Sequence, residues 1–135
     1  MDVLTPKQRR RNMQAIRSSG SRAELIVRRL VHSMGYRYRL HRSDLPGTPD
    51  LVLPRHRKII FVHGCFWHRH PRCRYAYTPG SNVAFWKKKF NENVARDRRV
   101  SRELQRMGWK VIIVWECQCR DPDKLAERLA TALDT

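Results

Sequence analysis

Two short apolar runs, Asp50-Leu-Val-Leu53 and Lys58-Ile-Ile-Phe-Val62, lie close together near the middle of the chain. Each run has the length of a strand, and Pro54 with several basic residues separates the two. This pattern predicts a pair of neighbouring strands joined by a short connection. The elements on either side are assigned relative to this pair.

Helical patterns lie on both sides of the two strands. Ser21-Arg-Ala-Glu24 has the form of a capping box, and apolar residues then recur at helical spacing until Gly35. Residues from Ser81 to Met107 are predicted to form a long helix that ends at Gly108. Asp121 to Leu133 is predicted to form a closing helix.

Two further strands complete the predicted order. Tyr36 to His41 alternates between apolar and polar residues, and Trp109 to Trp115 reads as a buried strand. The order of helix, three strands, long helix, strand and helix predicts an α/β domain with a small mixed sheet flanked by helices. At 135 residues the chain suits one core, with a basic N-terminal arm over residues 1–20 and a single domain over residues 21–135.

The chain is strongly basic, with 29 Lys and Arg against 12 Asp and Glu and a formal net charge of +17. Such a surplus indicates a polyanionic partner, because neutralised phosphates release counterions. Interleaved aromatic residues and the lack of a basic amphipathic tail favour nucleic acid over an anionic membrane. The sequence has no apolar run of the roughly 20 residues that span a membrane, and its N-terminus does not resemble a secretory signal. We therefore expect a cytoplasmic, nucleoid-associated protein.

Cysteine and histidine residues cluster after the central strands. Cys65, His70 and Cys73 lie in one short segment, and Cys117 or Cys119 follows the last predicted strand. Structural zinc takes four such ligands in a tetrahedron, and without a secretion signal metal binding is favoured over disulfides. We predict a structural zinc with Cys117 as its fourth ligand, because that residue follows the strand directly. Free buried cysteines beside surface histidines are the alternative.

Two acidic residues have informative positions. Asp50 begins a predicted strand, where a carboxylate facing a phosphate-binding surface suits magnesium, although an Asp that caps the turn after Pro49 would look the same. Asp97 falls within the apolar stripe of the long helix, so a carboxylate aimed at the core needs a partner. The other residues of that stripe are Val83, Trp86, Phe90, Val94, Ser101 and Leu104. A structural salt bridge, or a bond to a histidine without catalysis, is the alternative for Asp97.

Two histidines complete the acidic constellation. His63 and His68 flank Cys65, so a zinc-pinned loop would hold both near the end of a strand. A neutral histidine oriented by a carboxylate is a good general base, and His68 with Asp97 is the predicted pair. Glu24 is assigned first to the capping box, with a secondary role in the site.

Three aromatic residues lie among basic ones, namely Phe66, Trp67 and Trp86. Large rings can insert between base steps and bend the duplex, and a mispaired step is cheaper to open. We predict insertion for Phe66 and Trp67, with a lid over the zinc site as the alternative. Core packing accounts for Trp86 equally well.

Longer strings in the chain resemble the very-short-patch (Vsr) mismatch repair endonucleases. The strings are Pro46-Gly-Thr-Pro-Asp50, Phe61-Val-His-Gly-Cys-Phe-Trp-His68, Phe85-Trp86, Asn93-Val-Ala-Arg-Asp-Arg-Arg99 and Val114-Trp-Glu-Cys117. The similarity covers almost the whole chain, and the second string is highly specific. The resemblance implies a restriction-endonuclease-like fold, a structural zinc and a magnesium-dependent site. It also implies a nick on the 5′ side of the thymine in a T·G mismatch that arises from deamination of 5-methylcytosine.

The resemblance also implies roles for individual residues. The metal-binding Asp falls on Asp50, the active-site histidines on His63 and His68, the helix Asp on Asp97 and the early Glu on Glu24. The zinc ligands fall on Cys65, His70, Cys73 and Cys117. The intercalating aromatic residues fall on Phe66, Trp67 and Trp86. The arm that grips the minor groove includes Arg11, Asn12, Met13 and Ile16. The implied partner is double-stranded DNA with a T·G mismatch. We expect a monomer that acts together with other repair proteins and does not bind a membrane.

The chain departs from the family pattern at two places. Val62 stands where the family has Thr, which preserves a backbone carbonyl as a metal ligand but removes a hydroxyl. The spacing from His70 to Cys73 is one residue longer and includes Pro71. His63 occupies the position where restriction enzymes usually carry a Lys, so it is expected to take that role near the phosphate.

From the roles assigned to these residues we predict a mechanism for nicking one DNA strand. Asp50 and the Val62 carbonyl would hold hydrated magnesium, His68 oriented by Asp97 would promote attack by water, and His63 would stabilise the phosphate. A non-catalytic zinc-dependent DNA-binding module is one alternative, but it leaves Asp97 and the clustered histidines unexplained. A restriction-like nuclease that cuts matched DNA is the other.

Overall fold

The computed structural model describes residues 21–135, and the elements follow the predicted order. They are helix α1 (Arg22–Ser33), strands β1 (Arg39–Leu40), β2 (Leu51–Leu53) and β3 (Lys58–His63), helix α2 (Val83–Arg106), strand β4 (Lys110–Trp115) and helix α3 (Pro122–Asp134). Two short 3₁₀ turns, Pro54–His56 and Glu116–Arg120, follow β2 and β4. The predicted arm over residues 1–20, with Arg11, Asn12, Met13 and Ile16, lies outside the described residues.

The four strands of the described residues form one mixed sheet in the order β1-β2-β3-β4. β2 and β3 pair antiparallel, with Leu51 opposite Ile60, which confirms the pairing predicted for the central runs. β3 and β4 pair parallel, with Val62 opposite Val114. A parallel pair needs a long crossover, and α2 supplies it between these two strands.

Helices cover both faces of this sheet. On one face Leu51, Ile60 and Val114 pack against α1 and α3. On the other face Val52 and Ile59 pack with residues of α2. A sheet covered on both sides buries nearly every residue of its central strands, which explains why β2 and β3 are continuous apolar runs in the sequence.

Two of the predicted strands differ from the structure. Pairing in β1 is confined to Arg39–Leu40 instead of extending from Tyr36 to His41, because His41 turns out of the strand with a left-handed φ of 47°. The prediction of a buried last strand is confirmed only in part. β4 lies at the edge of the sheet, and buried Ile112 and Val114 alternate along it with partly exposed neighbours.

The long helix begins two residues later than predicted, at Val83, because Asn82 adopts a left-handed conformation. Its inner face includes the predicted Phe90 and Leu104, which are buried, and also Asn93, which the apolar stripe did not include. Val83, predicted to lie on that face, is exposed.

Gly47 marks the closest approach between the turn before β2 and helix α2. Its φ is +74°, and a Cβ added there would lie 2.5 Å from Cγ1 of Val100. The turn is closed by a hydrogen bond from the Thr48 N–H to the Leu45 carbonyl. Gly47 therefore lets the backbone that leads into Asp50 lie directly against α2.

We predict that Gly47→Ala lowers the free energy of unfolding by about 2–4 kcal/mol, because it combines a left-handed Cβ with overpacking against Val100. Gly35→Ala is the matched control, since Gly35 also has a positive φ of +87° but nothing within 4 Å of an added Cβ. It should show only the backbone cost of about 1–2 kcal/mol. Urea unfolding measures both values, and equal losses would contradict the importance of the close approach.

Candidate active site and metal centre

A cleft of about 710 Å³ opens where α1, the end of β3 and α2 come together. Its lining contains most of the acidic and histidine residues that the sequence singled out, namely Glu24, Asp50, His63, His68 and Asp97. These side chains come from four separate parts of the chain. The fold therefore brings the predicted catalytic residues to one place.

Asp50 lies directly before β2 and reaches across to β3. Its Oδ2 accepts a hydrogen bond from the Val62 N–H at 2.7 Å. Burial raises the pKa of Asp50 to about 7; the Val62 N–H opposes this shift and the nearby Glu24 carboxylate adds to it. The Asp50 carboxyl group therefore faces the site in an environment where a bound proton or a bound cation stabilises it.

Glu24 is a buried carboxylate in the first turn of α1. The Ser21 Oγ accepts a hydrogen bond from the Glu24 N–H at 3.2 Å, so the predicted N-cap is present. The Glu24 carboxylate contacts Arg28 and accepts a hydrogen bond from His41 at 2.8 Å. Burial favours a higher pKa for Glu24, but hydrogen bonds with His41 and Asp50 and the charges of His41 and Arg28 outweigh it and lower the pKa. The side chain therefore belongs first to the cleft, which reverses the order of the two roles predicted for it.

Glu24, His41 and Asp50 form a compact group of three donors. One ligand atom from each lies within 4.8 Å of the other two. The two carboxylates can hold a divalent cation, and the imidazole of His41 lies against the carboxylate of Glu24. The sequence alone did not single out His41 as a member of this group. The signal available was its place at the end of β1, because the pairing of Leu40 with Leu51 sets His41 beside Asp50.

His68 and Asp97 form the predicted pair. The His68 Nδ1 lies 2.7 Å from Oδ2 of Asp97, and both side chains are partly exposed to the cleft. An Nδ1–H that donates to the carboxylate leaves Nε2 as the acceptor of a neutral ring. Asp97 thus points toward the cleft and fixes the orientation of His68.

His63 is buried at the end of β3, and its ring stacks on His68 with centroids 3.9 Å apart. Among residues 21–135 its Nδ1 has no hydrogen-bond partner. Burial lowers the pKa of His63 to about 3; the charge of His68 adds to the shift and Asp97 opposes it. His63 is therefore neutral, and it can offer an N–H or a lone pair but not the positive charge of a Lys.

The four predicted zinc ligands Cys65, His70, Cys73 and Cys117 converge beside the cleft, with their ligand atoms within 4.8 Å of one another. The His70 Nδ1 lies 3.7 Å from Sγ of Cys65 and 3.4 Å from Sγ of Cys117. In a tetrahedral zinc site the sulfur and nitrogen ligands are about 3.6 Å apart. Cys119 lies outside this group, with its Sγ against the Ala23 carbonyl of α1.

Arg69 holds the loop over residues 64–80 together. Its guanidinium donates to the carbonyls of Phe66, Ala76 and Tyr77 and lies 3.9 Å above the ring of Phe90. The sequence alone does not reveal this role, because the neighbouring arginines of the loop look alike in it. The contacts close the loop on itself beside His68.

Aromatic rings pack together where this loop meets α2. Phe66 contacts Trp67 and Trp86 with centroids 5.0 and 5.7 Å apart. Trp67 is buried, and its carbonyl accepts a hydrogen bond from Asn93 at 3.2 Å, whereas Phe66 and Trp86 are half-buried. Insertion of Trp67 between bases would require it to leave this packing. Insertion stays a prediction for all three rings.

Basic side chains surround the cleft. Arg22 and Arg96 line it, and α2 exposes further cations: Lys87, Lys88, Arg98, Arg99 and Arg102. A surface of this kind suits a polyanion such as the phosphate backbone of DNA. Within residues 21–135 no helix has the length and apolar character needed to cross a membrane.

Comparison with known proteins shows similarity over almost the whole chain. The family model described as "DNA mismatch endonuclease Vsr" matches residues 1–74. The Type II nicking enzyme V.XorIIP of Xanthomonas oryzae pv. oryzae is 50% identical over 133 residues, which cover 98% of this chain and 97% of that protein. The DNA mismatch endonuclease Vsr of Escherichia coli (strain K12) is 40% identical over 96% of this chain and 83% of its own length. The Type II nicking enzyme V.NmeAIP of Neisseria meningitidis is 38% identical over 95% of this chain and 91% of its own length.

We predict that Arg69→Lys lowers the free energy of unfolding by about 2–3 kcal/mol, because an ammonium group cannot replace several guanidinium hydrogen bonds and the stacking on Phe90. Amide hydrogen exchange of residues 64–80 should become faster. Arg72→Lys is the matched control, since Arg72 lies in the same loop, also has a positive φ, and is exposed. Its stability should change by less than about 0.5 kcal/mol. Similar losses in the two variants would show that Arg69 does not hold the loop.

Proposed function

Because the chain belongs to the Vsr family of DNA mismatch endonucleases, we propose that it nicks one DNA strand on the 5′ side of the thymine in a T·G mismatch. Such mismatches arise from deamination of 5-methylcytosine, and the nick would start very-short-patch repair. The convergence of Asp50, Glu24 and the His68–Asp97 pair on one cleft carries this proposal. A DNA-binding module without catalysis would have no use for that arrangement.

Magnesium fits the cleft by the chemistry of its donors. Asp50 and Glu24 supply carboxylate oxygens close to each other, and magnesium prefers oxygen ligands. The N–H and C=O of one strand residue point to the same side, so the Val62 carbonyl lies on the side of β3 where its N–H meets Asp50. A carbonyl ligand does not depend on the side chain at position 62. When bound, magnesium would polarise the scissile phosphate and balance its developing charge.

The histidines supply the proton chemistry in this proposal. His68 accepts the proton of the attacking water on Nε2, because its Nδ1 is engaged by Asp97. Asp97 keeps the ring in the correct tautomer and stabilises the imidazolium that forms. His63 is neutral, so it acts on a phosphate oxygen by donating an N–H, not as a cation.

Zinc fits the group of Cys65, His70, Cys73 and Cys117, whose sulfur-to-nitrogen distances of 3.4 and 3.7 Å are close to those of a tetrahedral site. Four protein ligands leave no position for water, so this zinc would be structural. It would tie the loop over residues 64–80 to the end of β4. That tie would hold His68 against His63.

The remaining parts of the proposal concern the DNA. Phe66, Trp67 and Trp86 would open the mismatch by insertion, which is cheaper at a mispaired step. The N-terminal arm, residues 1–20, would grip the minor groove. We propose that the protein acts as a monomer on bacterial DNA in the cytoplasm, in association with the nucleoid, and that other repair proteins continue from the nick.

We predict that the protein nicks a T·G duplex in the presence of magnesium and neither the same duplex with EDTA nor a matched duplex. Asp50→Asn and His68→Ala should each lower the nicking rate by about 10²–10⁴-fold, because one removes a cation ligand and the other the general base. Asp44→Asn is the control, since Asp44 is exposed and pairs with Arg42 away from the cleft. It should nick at the wild-type rate.

Three outcomes of this gel assay would contradict the proposal. Full activity of Asp50→Asn would refute the assigned cation ligand. Equal nicking of matched DNA would favour a nicking enzyme without mismatch preference. Absence of nicking under every condition would favour a DNA-binding module.

We predict that the purified protein holds one zinc per chain, and that Cys73→Ala loses it and melts at a lower temperature because the loop is no longer tied to β4. Cys119→Ala is the matched control, since this buried thiol lies outside the ligand group. It should keep its zinc even if core packing is weakened. Inductively coupled plasma mass spectrometry measures the metal, and full zinc content in Cys73→Ala would contradict the assignment.

A further inference from the structure

His41 occupies an unusual position between the two carboxylates of the cleft. Directly after β1 its backbone turns into the left-handed region, with a φ of 47°, which residues other than glycine rarely adopt. Its N–H donates to the Asp50 carbonyl at 3.1 Å. Its Nε2 lies 2.8 Å from Oε1 of Glu24 and 4.0 Å from Oδ1 of Asp50. One residue therefore contacts both acidic residues, through its backbone on one side and its ring on the other.

The Glu24 carboxylate needs such a contact to stay at the cleft. It is buried beside the carboxyl group of Asp50, and two ionised carboxylates at this distance would repel each other. Its Oε2 contacts Arg28, which lies one turn further along the same helix. That contact lies within α1 and does not tie Glu24 to the sheet. The hydrogen bond from the His41 ring to Oε1 of Glu24 ties Glu24 to the sheet, because His41 follows β1 and its N–H is bonded to Asp50.

We propose that His41 is the positioning residue of the cation site, where its ring N–H holds the Glu24 carboxylate opposite Asp50. The inference rests on the proposed function, from which the divalent cation at this site is taken. His41 acts through Glu24 and is distinct from the His68–Asp97 pair, which serves the proton transfer. Residues that orient a metal ligand in this way typically change metal affinity by about 10–100-fold when they are lost.

Two substitutions separate the hydrogen bond from the backbone conformation. Asn tolerates the left-handed region well, so His41→Asn preserves the turn while its shorter amide falls short of Glu24. The longer side chain of Gln carries an amide N–H at a reach similar to that of the histidine Nε2, so His41→Gln restores a donor. His32→Asn, at an exposed histidine on α1, is the matched control.

The experiment measures Mn²⁺ binding to the full chain without DNA, by the electron paramagnetic resonance signal of free Mn²⁺. His41→Asn should bind Mn²⁺ about 10-fold more weakly than wild type, and His41→Gln and His32→Asn within about 2-fold of it. Zinc content and melting temperature should be unchanged in all three variants. In the nicking assay, His41→Asn should need about 10-fold more Mg²⁺ for half-maximal rate, with the rate at saturating Mg²⁺ largely retained.

Each other outcome has a defined meaning. Wild-type Mn²⁺ affinity in a folded His41→Asn would overturn the inference. Equal weakening in His41→Asn and His41→Gln would also overturn it and would indicate that the ring nitrogen itself is a ligand. Asp50→Asn serves as the reference for the site. If it binds Mn²⁺ as tightly as wild type, the proposed magnesium site fails and the inference with it. If it loses binding while His41→Asn does not, only the inference about His41 fails.

Discussion

Strand β3 is the element on which both the fold and the candidate site depend. It is hydrogen-bonded to β2 on one side and to parallel β4 on the other. Ile59 and Ile60 are fully buried against the helices on its two faces. Because neighbours hold it on all four sides, its carboxyl end is fixed in space. Val62 anchors Asp50 there, and His63 ends the strand.

The cleft gathers negative charge in a chain whose formal net charge is +17. Each carboxylate has its own partner, since Glu24 contacts Arg28 and His41, Asp50 accepts from Val62, and Asp97 is bonded to His68. Despite these partners, burial and then the hydrogen bond and charge of the neighbouring Glu24 raise the pKa of Asp50 to about 7. A divalent cation bound between the carboxyl groups of Glu24 and Asp50 would stabilise both in their charged form.

The loop over residues 64–80 has no helix or strand, yet it presents His68 to the cleft. Other contacts replace secondary structure in this loop. Arg69 donates hydrogen bonds to three carbonyls of the loop. Cys65, His70 and Cys73 of the loop lie together with Cys117, which follows β4. Phe66 packs on aromatic rings of α2. The position of one catalytic candidate thus depends on contacts that are spread over the whole chain.

The sequence by itself determined the order of the elements, because periods of two and 3.6 residues are local properties of the chain. Its motifs also named Asp50, His68 and Asp97. Only the tertiary structure decided the role of His41, the function of Arg69 and the neutral state of His63. These depend on which distant residues become neighbours and on how far burial removes water from them, and neither is encoded in a local pattern. The same holds for the edge position of β4, which follows from how the strands pair.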